Sequence, residues 1–135
     1  MTNKISNEAK IIKKTYNIKA PVEKVWQALV NVNDINGWGG GPAKMSDEVN
    51  AKFSFWGGDI YGKNLEVSPE KKLVQEWFGG DWEKPSILEI NLMEKNGLTE
   101  IKLTHKDVPD GDVSDIADAW DAYYFGPMKE YLEKK

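Results

Sequence analysis

The stretch closest to a known chemical motif is residues 57–64, which read Gly-Gly-Asp-Ile-Tyr-Gly-Lys-Asn. The spacing of its glycines and of Lys63 nearly matches a phosphate-binding loop, in which backbone amides and a lysine hold a nucleotide. Two features argue against nucleotide binding. Asn64 replaces the serine or threonine that holds Mg²⁺, and a predicted strand follows where the motif requires a helix. The stretch is therefore expected to be a turn at Gly57 and Gly58 that leads into a strand from Ile60.

Acid–base and metal chemistry would have to involve His105, the one histidine in the sequence. A lone histidine without cysteine cannot supply a standard zinc site, and no serine and aspartate stand with it in a family-like triad. His105 is expected near the end of a strand, with a part in acid–base chemistry as the alternative. Carboxylates are plentiful, but most fall on polar faces. The sequence thus predicts no catalytic residue, no metal and no cofactor.

Three aromatic residues, Trp38, Trp56 and Phe78, are each followed by two glycines. Glycine adopts a positive φ without steric cost, so each pair can turn the chain sharply. These segments are expected to be turns and loops at the ends of strands. The alternative is a cluster of flexible loops that carry aromatic side chains to a ligand or a partner.

The element that must position these loops is a long amphipathic helix over residues 112–133. Its apolar stripe repeats at the helical period, and an aspartate recurs every three residues on the other side. Phe125 falls opposite the stripe, where it could pack under a loop or serve as an exposed anchor, and Pro127 predicts a kink or a new segment. The acids can complement the helix dipole or dock on a basic surface. The stripe consists of Val113, Ile116, Trp120, Tyr123, Tyr124 and Tyr131, and the acids are Asp112, Asp115, Asp118 and Asp121.

Upstream, the sequence predicts one strand from residue 10, two short helices between residues 20 and 37, and five or six antiparallel strands. Residues 1–9 are polar and are expected to form a disordered tail, so that residues 10–135 form one domain. Strands followed by a long helix indicate an α+β fold, in which a curved sheet packs on that helix. Aromatic side chains between the two layers could fill a core or line a cavity. The predicted lining residues are Phe53, Phe55, Tyr61, Trp77, Leu88, Ile90, Trp120 and Tyr123.

Composition narrows the range of partners. All 18 basic residues are lysine, and the net charge is −4. The lack of arginine and the negative charge argue against nucleic-acid binding. The sequence has no cysteine, no signal segment and no apolar run long enough to span a bilayer. These features predict a cytoplasmic protein that does not bind membranes.

Several segments resemble a known family. Residues 20–29, Ala-Pro-Val-Glu-Lys-Val-Trp-Gln-Ala-Leu, are similar to the opening helix of START/Bet v 1-like helix-grip domains. Four further segments resemble the carboxy-terminal domain of the activator of heat-shock protein 90 ATPase, and the run Tyr-Tyr-Phe-Gly-Pro-Met-Lys is the most specific of these matches. The likeness covers residues 11–132, and its segments are 38–44, 53–58, 72–77 and 120–129.

The resemblance implies a helix-grip fold and a co-chaperone that binds heat-shock protein 90 and favours its closed, hydrolysing state. On this hypothesis the contact surface includes Trp38, Trp56, Phe125 and Lys129. Nothing in the match corresponds to the amino-terminal domain of full-length activators, so binding with weak stimulation is an expected outcome. Two alternatives stay open: a carrier of a small hydrophobic ligand in the helix-grip cavity, and an enzyme of cyclase or hydrolase type on this fold.

Overall fold

The computed structural model describes residues 11–80 and 82–134, so the disordered tail predicted for residues 1–9 lies outside the described residues. In chain order the elements are β1 (Ile12–Ile18), α1 (Val22–Val30), α2 (Val32–Trp38), β2 (Lys52–Phe55), β3 (Ile60–Ser68), β4 (Lys72–Gly79), β5 (Ser86–Lys95), β6 (Leu98–Lys106), α3 (Val113–Ala119), the π turn (Trp120–Phe125) and α4 (Gly126–Glu133). Short 3₁₀ turns precede β3 and α3. The terminal helix is formed by α3, the π turn and α4, which follow one another without a break.

The described strands form one antiparallel sheet of six strands, in the order β1-β6-β5-β4-β3-β2. β4 shows why one face packs on the helix. Its residues alternate strictly, so that Leu73, Gln75 and Trp77 are buried on the concave face while their neighbours are partly exposed. The indole of Trp77 lies 4.9 Å from that of Trp120 on the terminal helix, measured between ring centroids. This arrangement confirms the α+β helix-grip fold that the sequence predicts.

β3 departs from regular alternation, because its pairing with β4 shifts between Asn64 and Glu66. Ahead of that bulge, Asn64 faces the core and is fully buried, whereas Tyr61 lies on the outer face and is 45% exposed. Tyr61 stacks there on Phe78, with ring centroids 5.3 Å apart. The prediction that Tyr61 lines a cavity is therefore wrong. The inward positions of this strand are taken by Ile60, a glycine and an asparagine, so hydrophobicity alone indicates the wrong face.

The terminal helix contains one wide turn, because the amide of Gly126 donates to the carbonyl of Asp121, five residues earlier. Side chains within and beyond such a turn are displaced around the helix axis relative to a regular α-helix. Tyr124 and Phe125 consequently face the sheet, each 1% exposed, while Tyr123 faces solvent at 64%. Two predictions are thereby corrected: Phe125 is not on the polar face, and Tyr123 does not line the space beneath the helix.

Gly126 and Pro127 explain why the wide turn forms at this point. A Cβ atom on residue 126 would lie 2.2 Å from the carbonyl oxygen of Asp121, so no larger residue fits. Pro127 lies in the first turn of α4 and has no amide hydrogen, so the backbone ladder lacks a donor there in any case. Pro127 therefore begins a new helical segment, one of the two outcomes that the sequence allows.

The helices α1 and α2 pack between the sheet and the end of the terminal helix. Val25 and Leu29 of α1 are fully buried. The side chain of Asn31 caps α2 by accepting from the amides of Asn33 and Asp34, as expected for asparagine at this position. Among the described residues, none of the helices combines the length and the apolar character that crossing a bilayer requires.

Candidate docking site

The structure separates the four residues that were predicted to contact a partner. Trp38 is 4% exposed, and its indole Nε1 donates to the carbonyl of Ala28 over 2.9 Å. Phe125 is buried against the ring of Tyr16. Both side chains lie between the sheet and the helices that cover it. The expectation that they form an exposed contact surface is therefore wrong for the folded protein.

The other two residues are accessible but lie at opposite edges of the sheet. Trp56 directly follows the edge strand β2, is half-buried, and donates from Nε1 to the carbonyl of Gly39 over 2.8 Å. Lys129 is exposed beside β1, the other edge strand, where its Nζ donates to the carbonyl of Asn17 at 2.9 Å and pairs with Glu133 at 2.7 Å. One compact site can therefore include Trp56 or Lys129, but not both.

The space between the sheet and the terminal helix is filled by aromatic rings. The indole of Trp77 stands at its centre, with the rings of Phe55, Trp120 and Tyr124 between 4.9 and 6.2 Å away, centroid to centroid. The aromatic residues thus form a packed core, the first of the two interpretations that the sequence allows. Six of the eight predicted lining residues are buried in this core: Phe53, Phe55, Trp77, Leu88, Ile90 and Trp120.

A gap lies in the core beside α3, an apolar slot of about 50 Å³ that we call the slot. Its walls are half-exposed and its floor is buried, so it opens toward the surface. No polar atom lines it. The floor consists of Trp77, Trp120 and Tyr124, and the walls are Trp56, Ile60, Ile116 and Ala119.

A chain of hydrogen bonds runs behind the slot floor and includes the histidine. The indole Nε1 of Trp120 can only donate, so Nδ1 of His105, 3.2 Å away, accepts. Burial lowers the pKa of His105 to about 3, so the ring is neutral and carries its proton on Nε2. That nitrogen donates to Ser86 Oγ at 2.7 Å, and Ser86 donates to the carbonyl of Trp77 at 3.1 Å. Ser86 therefore has no base to take its proton, which does not suit a nucleophile.

A second chain of hydrogen bonds ties the other indole of the floor to a loop. The Nε1 of Trp77 donates to Gln75 Oε1, and the Gln75 amide donates to Asn64 Oδ1, each over 2.9 Å. The Asn64 amide in turn donates to the carbonyls of Ser46 and Glu48, both at 2.9 Å. Because both floor indoles use their N–H groups inside the protein, they present only ring carbons to the slot.

The aspartates of the terminal helix differ in their surroundings. Asp121 accepts from the hydroxyl of Tyr16 at 2.6 Å and from Lys14 at 3.0 Å. These hydrogen bonds, that from Tyr16 first, hold the pKa of Asp121 below its usual value. Asp115 and Asp118 are exposed on α3, and no ion pair joins either of them to another described residue. The outer face of α3 is therefore acidic, with no ion pair from the described residues to these two carboxylates.

A second depression, a wide cleft of about 1160 Å³, lies between the β4–β5 and β6–α3 connections. Trp82 crosses it and donates from Nε1 to Asp112 at 2.7 Å. Apolar side chains such as Pro85 and Val108 alternate there with charged groups. Over residues 11–80 and 82–134, no three His, Asp or Glu side chains are grouped closely enough to hold a metal ion.

Sequence patterns missed two walls of the slot, Ile60 and Ala119. Ile60 lies on the face of β3 that hydrophobic alternation did not select, and Ala119 is too small to mark an apolar stripe. The one available signal was the Gly126-Pro127 pair, which interrupts a helical pattern and can indicate a change of helical register. Recognition of that change would have placed Phe125 in the core, but it would not have revealed the slot.

The chain is similar in sequence to a known protein family and to curated proteins. The family model described as Activator of Hsp90 ATPase homolog 1-like protein matches residues 19–133. The human activator of 90 kDa heat shock protein ATPase homolog 1 is 24% identical over 110 residues, which are 80% of this chain and 32% of that protein. Its mouse relative, homolog 2, is 29% identical over 94 residues, which are 68% of this chain and 28% of that protein.

The chain spans about a third of the length of the curated relatives it matches. Among solved structures, an HSP90 activator from Plasmodium falciparum superposes with a TM-score of 0.81 at 23% identity, covering 87% of this chain and 91% of that chain. At this identity the superposition establishes the shared fold.

Proposed function

The chain belongs to the family of Activator of Hsp90 ATPase homolog 1-like proteins, and we propose that it is a co-chaperone that binds heat-shock protein 90 and stimulates its ATPase. We propose that the protein acts in the cytoplasm. The family match carries it, because the match extends from the start of α1 to the end of the terminal helix. Stimulation is the more demanding part of the proposal, since the named relatives are about three times longer than the matched region.

The geometry supports a role in binding another protein. The terminal helix is held on the sheet by a filled core, so the molecule can present a rigid surface. On the side of α3 that surface carries half-exposed apolar walls around the slot, with Trp56 among them, as interfaces typically do. The exposed acids Asp115 and Asp118 lie on the same helix and form no ion pair with another described residue. We propose that this side of the molecule docks on the chaperone.

The alternative functions find less support in the same geometry. Pockets for small molecules usually measure about 300–1,000 Å³ and enclose their ligand. The slot offers about 50 Å³, and the larger cleft is open and rich in charge. A third depression of about 320 Å³, between α1 and the end of α4, is lined mostly by charged and polar side chains and is also open to solvent. A hydrolase would need a nucleophile beside a base, and the neutral ring of His105 donates to Ser86 instead of accepting from it. Protein binding is therefore the function that the site supports best.

Stimulation requires that the protein bind the closed chaperone more tightly than the open one. A ligand shifts an equilibrium only by its differential affinity for the two states, so a tenfold preference supplies about 1.4 kcal/mol toward closure. By reciprocity, the factor by which this protein raises the chaperone's affinity for a nucleotide analogue equals the factor by which the analogue raises the chaperone's affinity for this protein. Both sides of this linkage are measurable.

The test combines ATP turnover by the chaperone with calorimetry, each with and without this protein. We expect faster turnover, and tighter binding when a nonhydrolysable ATP analogue is present. Turnover that remains after a chaperone-specific inhibitor is added is subtracted as background. Unchanged turnover together with no detectable heat of binding would refute the proposal.

A pair of charge reversals tests the docking side. Asp118→Lys and Glu70→Lys make the same change in charge at exposed positions, one beside the slot and the other in the turn after β3. We expect Asp118→Lys to weaken binding of the chaperone several-fold at low salt, because a basic partner surface would be repelled. Glu70→Lys should bind as the wild type does. Equal affinities for the two variants would place the docking surface elsewhere while leaving the function intact.

A further inference from the structure

The slot has the character of a receptor for a single side chain. Its floor is rigid, because the indoles of Trp77 and Trp120 are each fixed by a hydrogen bond to a buried partner, Gln75 and His105. Its walls come from three separate parts of the chain that follow β2, open β3 and form α3. A depression of this kind, with apolar walls and a desolvated floor, is where the anchor residue of a partner is expected to bind.

We propose that the slot binds one aliphatic side chain of the leucine or methionine type, carried by a segment of the partner that is rich in lysine or arginine. This inference rests on the proposed function, since it assigns to the chaperone the chemistry of the segment that enters the slot. It is separable from that function, because a short peptide can occupy the slot without the rest of a partner.

The lining determines that the occupant is apolar. Both floor indoles have their N–H groups engaged inside the protein, and no polar atom reaches the surface of the slot. A polar group placed there would lose its hydrogen bonds to water and gain none in return, which costs about 1–3 kcal/mol in proteins. A hydrocarbon group loses no hydrogen bonds and buries its surface.

The size limits the occupant to a few carbon atoms. A water molecule needs about 10–15 Å³ of cavity volume, so a slot of about 50 Å³ has room for a branched group of about four carbons. A sterol or a fatty acid would need several times that volume. The slot therefore suits the end of one side chain and is too small for the cargo of a lipid carrier.

The rim determines the charge of the flanking residues. Three walls of the slot are each directly preceded in sequence by an exposed aspartate: Asp59 before Ile60, Asp115 before Ile116, and Asp118 before Ala119. These aspartates are therefore backbone neighbours of the slot's walls, and none forms an ion pair with any other residue that the structure describes. Cationic residues on either side of the inserted side chain complement this arrangement.

The test uses short peptides and nuclear magnetic resonance of the folded protein. The indole N–H signals of Trp77 and Trp120 report on the floor of the slot, and that of Trp82 serves as an internal control in the separate cleft. The peptides have the composition Lys-Lys-Leu-Lys-Lys and Lys-Lys-Ala-Lys-Lys, with blocked ends. We expect the leucine peptide to shift the floor signals, with millimolar affinity, and the alanine peptide to bind at least tenfold more weakly, because three carbons are removed from the contact.

A matched pair of variants shows whether these shifts arise in the slot. Ala119→Leu fills the opening from its wall, whereas Ala122→Leu adds the same group at an exposed position on the same helix. Leucine is a good helix former, so both chains should fold. We expect Ala119→Leu to abolish the shifts caused by the leucine peptide and Ala122→Leu to retain them. Equal binding by both variants would overturn the assignment.

Three other experimental outcomes would contradict the proposal or a part of it. Floor signals that respond to isobutanol but not to the leucine peptide would assign the slot to small free molecules and reject a partner side chain. Equal shifts from Lys-Lys-Leu-Lys-Lys and Glu-Glu-Leu-Glu-Glu would show that the rim is irrelevant and would overturn the basic character of the segment. If Ala119→Leu binds the chaperone as tightly as the wild type does, the slot proposal fails while the proposed function stands.

Discussion

Tyr16 of β1 lies against Phe125 of the π turn, with ring centroids 4.5 Å apart and ring planes inclined by 26°. The same tyrosine donates from its hydroxyl to the carboxylate of Asp121. The backbone carbonyl of Asp121 accepts the hydrogen bond from the amide of Gly126 that closes the wide turn. Burial, together with this hydrogen bond, raises the pKa of Tyr16 well above its ordinary value. One residue of an edge strand therefore supports both the buried and the exposed side of the turn that shifts the helical register.

Substitution of Phe125 by alanine should be strongly destabilising. The ring is 1% exposed, and removal of a buried phenylalanine typically costs about 3–5 kcal/mol. Tyr123→Ala removes a neighbouring aromatic residue that is 64% exposed, so its effect should stay within about 0.5 kcal/mol. Urea unfolding at neutral pH measures both. A larger loss of stability for Tyr123→Ala than for Phe125→Ala would instead support the regular helix that the sequence predicts.

The succession of elements is predictable because it depends on local periodicity. Alternation in β4 and β5 and the 3.6-residue stripe of the terminal helix are each visible within about ten residues. The orientation of Phe125 is not, since it depends on whether one turn holds four residues or five. That choice is made by the close approach of residue 126 to a carbonyl, which no hydrophobic pattern encodes.

The π turn itself can be tested through Gly126. An alanine at this position would place its Cβ about 2.2 Å from the carbonyl oxygen of Asp121, so the turn must distort, at a cost of about 1–3 kcal/mol. Gly111→Ala makes the same change where no atom lies within 4 Å and the backbone is not strained. It should be neutral or stabilise by about 0.4–1 kcal/mol. Thermal unfolding of the two variants distinguishes them, and equal melting temperatures would argue against a tight turn.

Two tyrosines, the partly buried Tyr16 and the fully buried Tyr124, should respond oppositely to loss of the hydroxyl. Tyr16→Phe removes the hydrogen bond to Asp121 and should cost about 0.5–1.5 kcal/mol. The hydroxyl of Tyr124 is buried among aromatic rings and has no hydrogen-bond partner within the described part of the chain, and burial raises its pKa. Tyr124→Phe should therefore stabilise the fold by about 1 kcal/mol or more. Chemical denaturation gives both signs, and destabilisation by Tyr124→Phe would reveal a partner for that hydroxyl.

The slot illustrates the limit of sequence reasoning about the site. Its floor residues are conspicuous in sequence as tryptophans and a tyrosine, and two of them, Trp77 and Trp120, were correctly placed between sheet and helix. Its existence depends on how three distant segments meet, and on a bulge that sets the face of β3. An aromatic residue that fills space and one that borders a gap look the same in a sequence.

The neutral state of His105 predicts a specific dependence of stability on pH. Its pKa is lowered to about 3 by burial, against 6.5 in an unfolded chain, so between these values only the unfolded state takes up the proton. Stability should therefore fall as pH decreases, by about 2 kcal/mol between pH 7.5 and pH 5. Asp121 and Glu133, whose pKa values are also lowered, contribute mainly at lower pH, because their ordinary values are 3.8 and 4.5.

Urea unfolding between pH 7.5 and pH 5 measures how stability depends on pH, and His105→Gln, which can still accept from Trp120, should make that dependence weaker. A wild-type stability that does not change between pH 7.5 and pH 5 would mean that the ring is protonated in the folded protein.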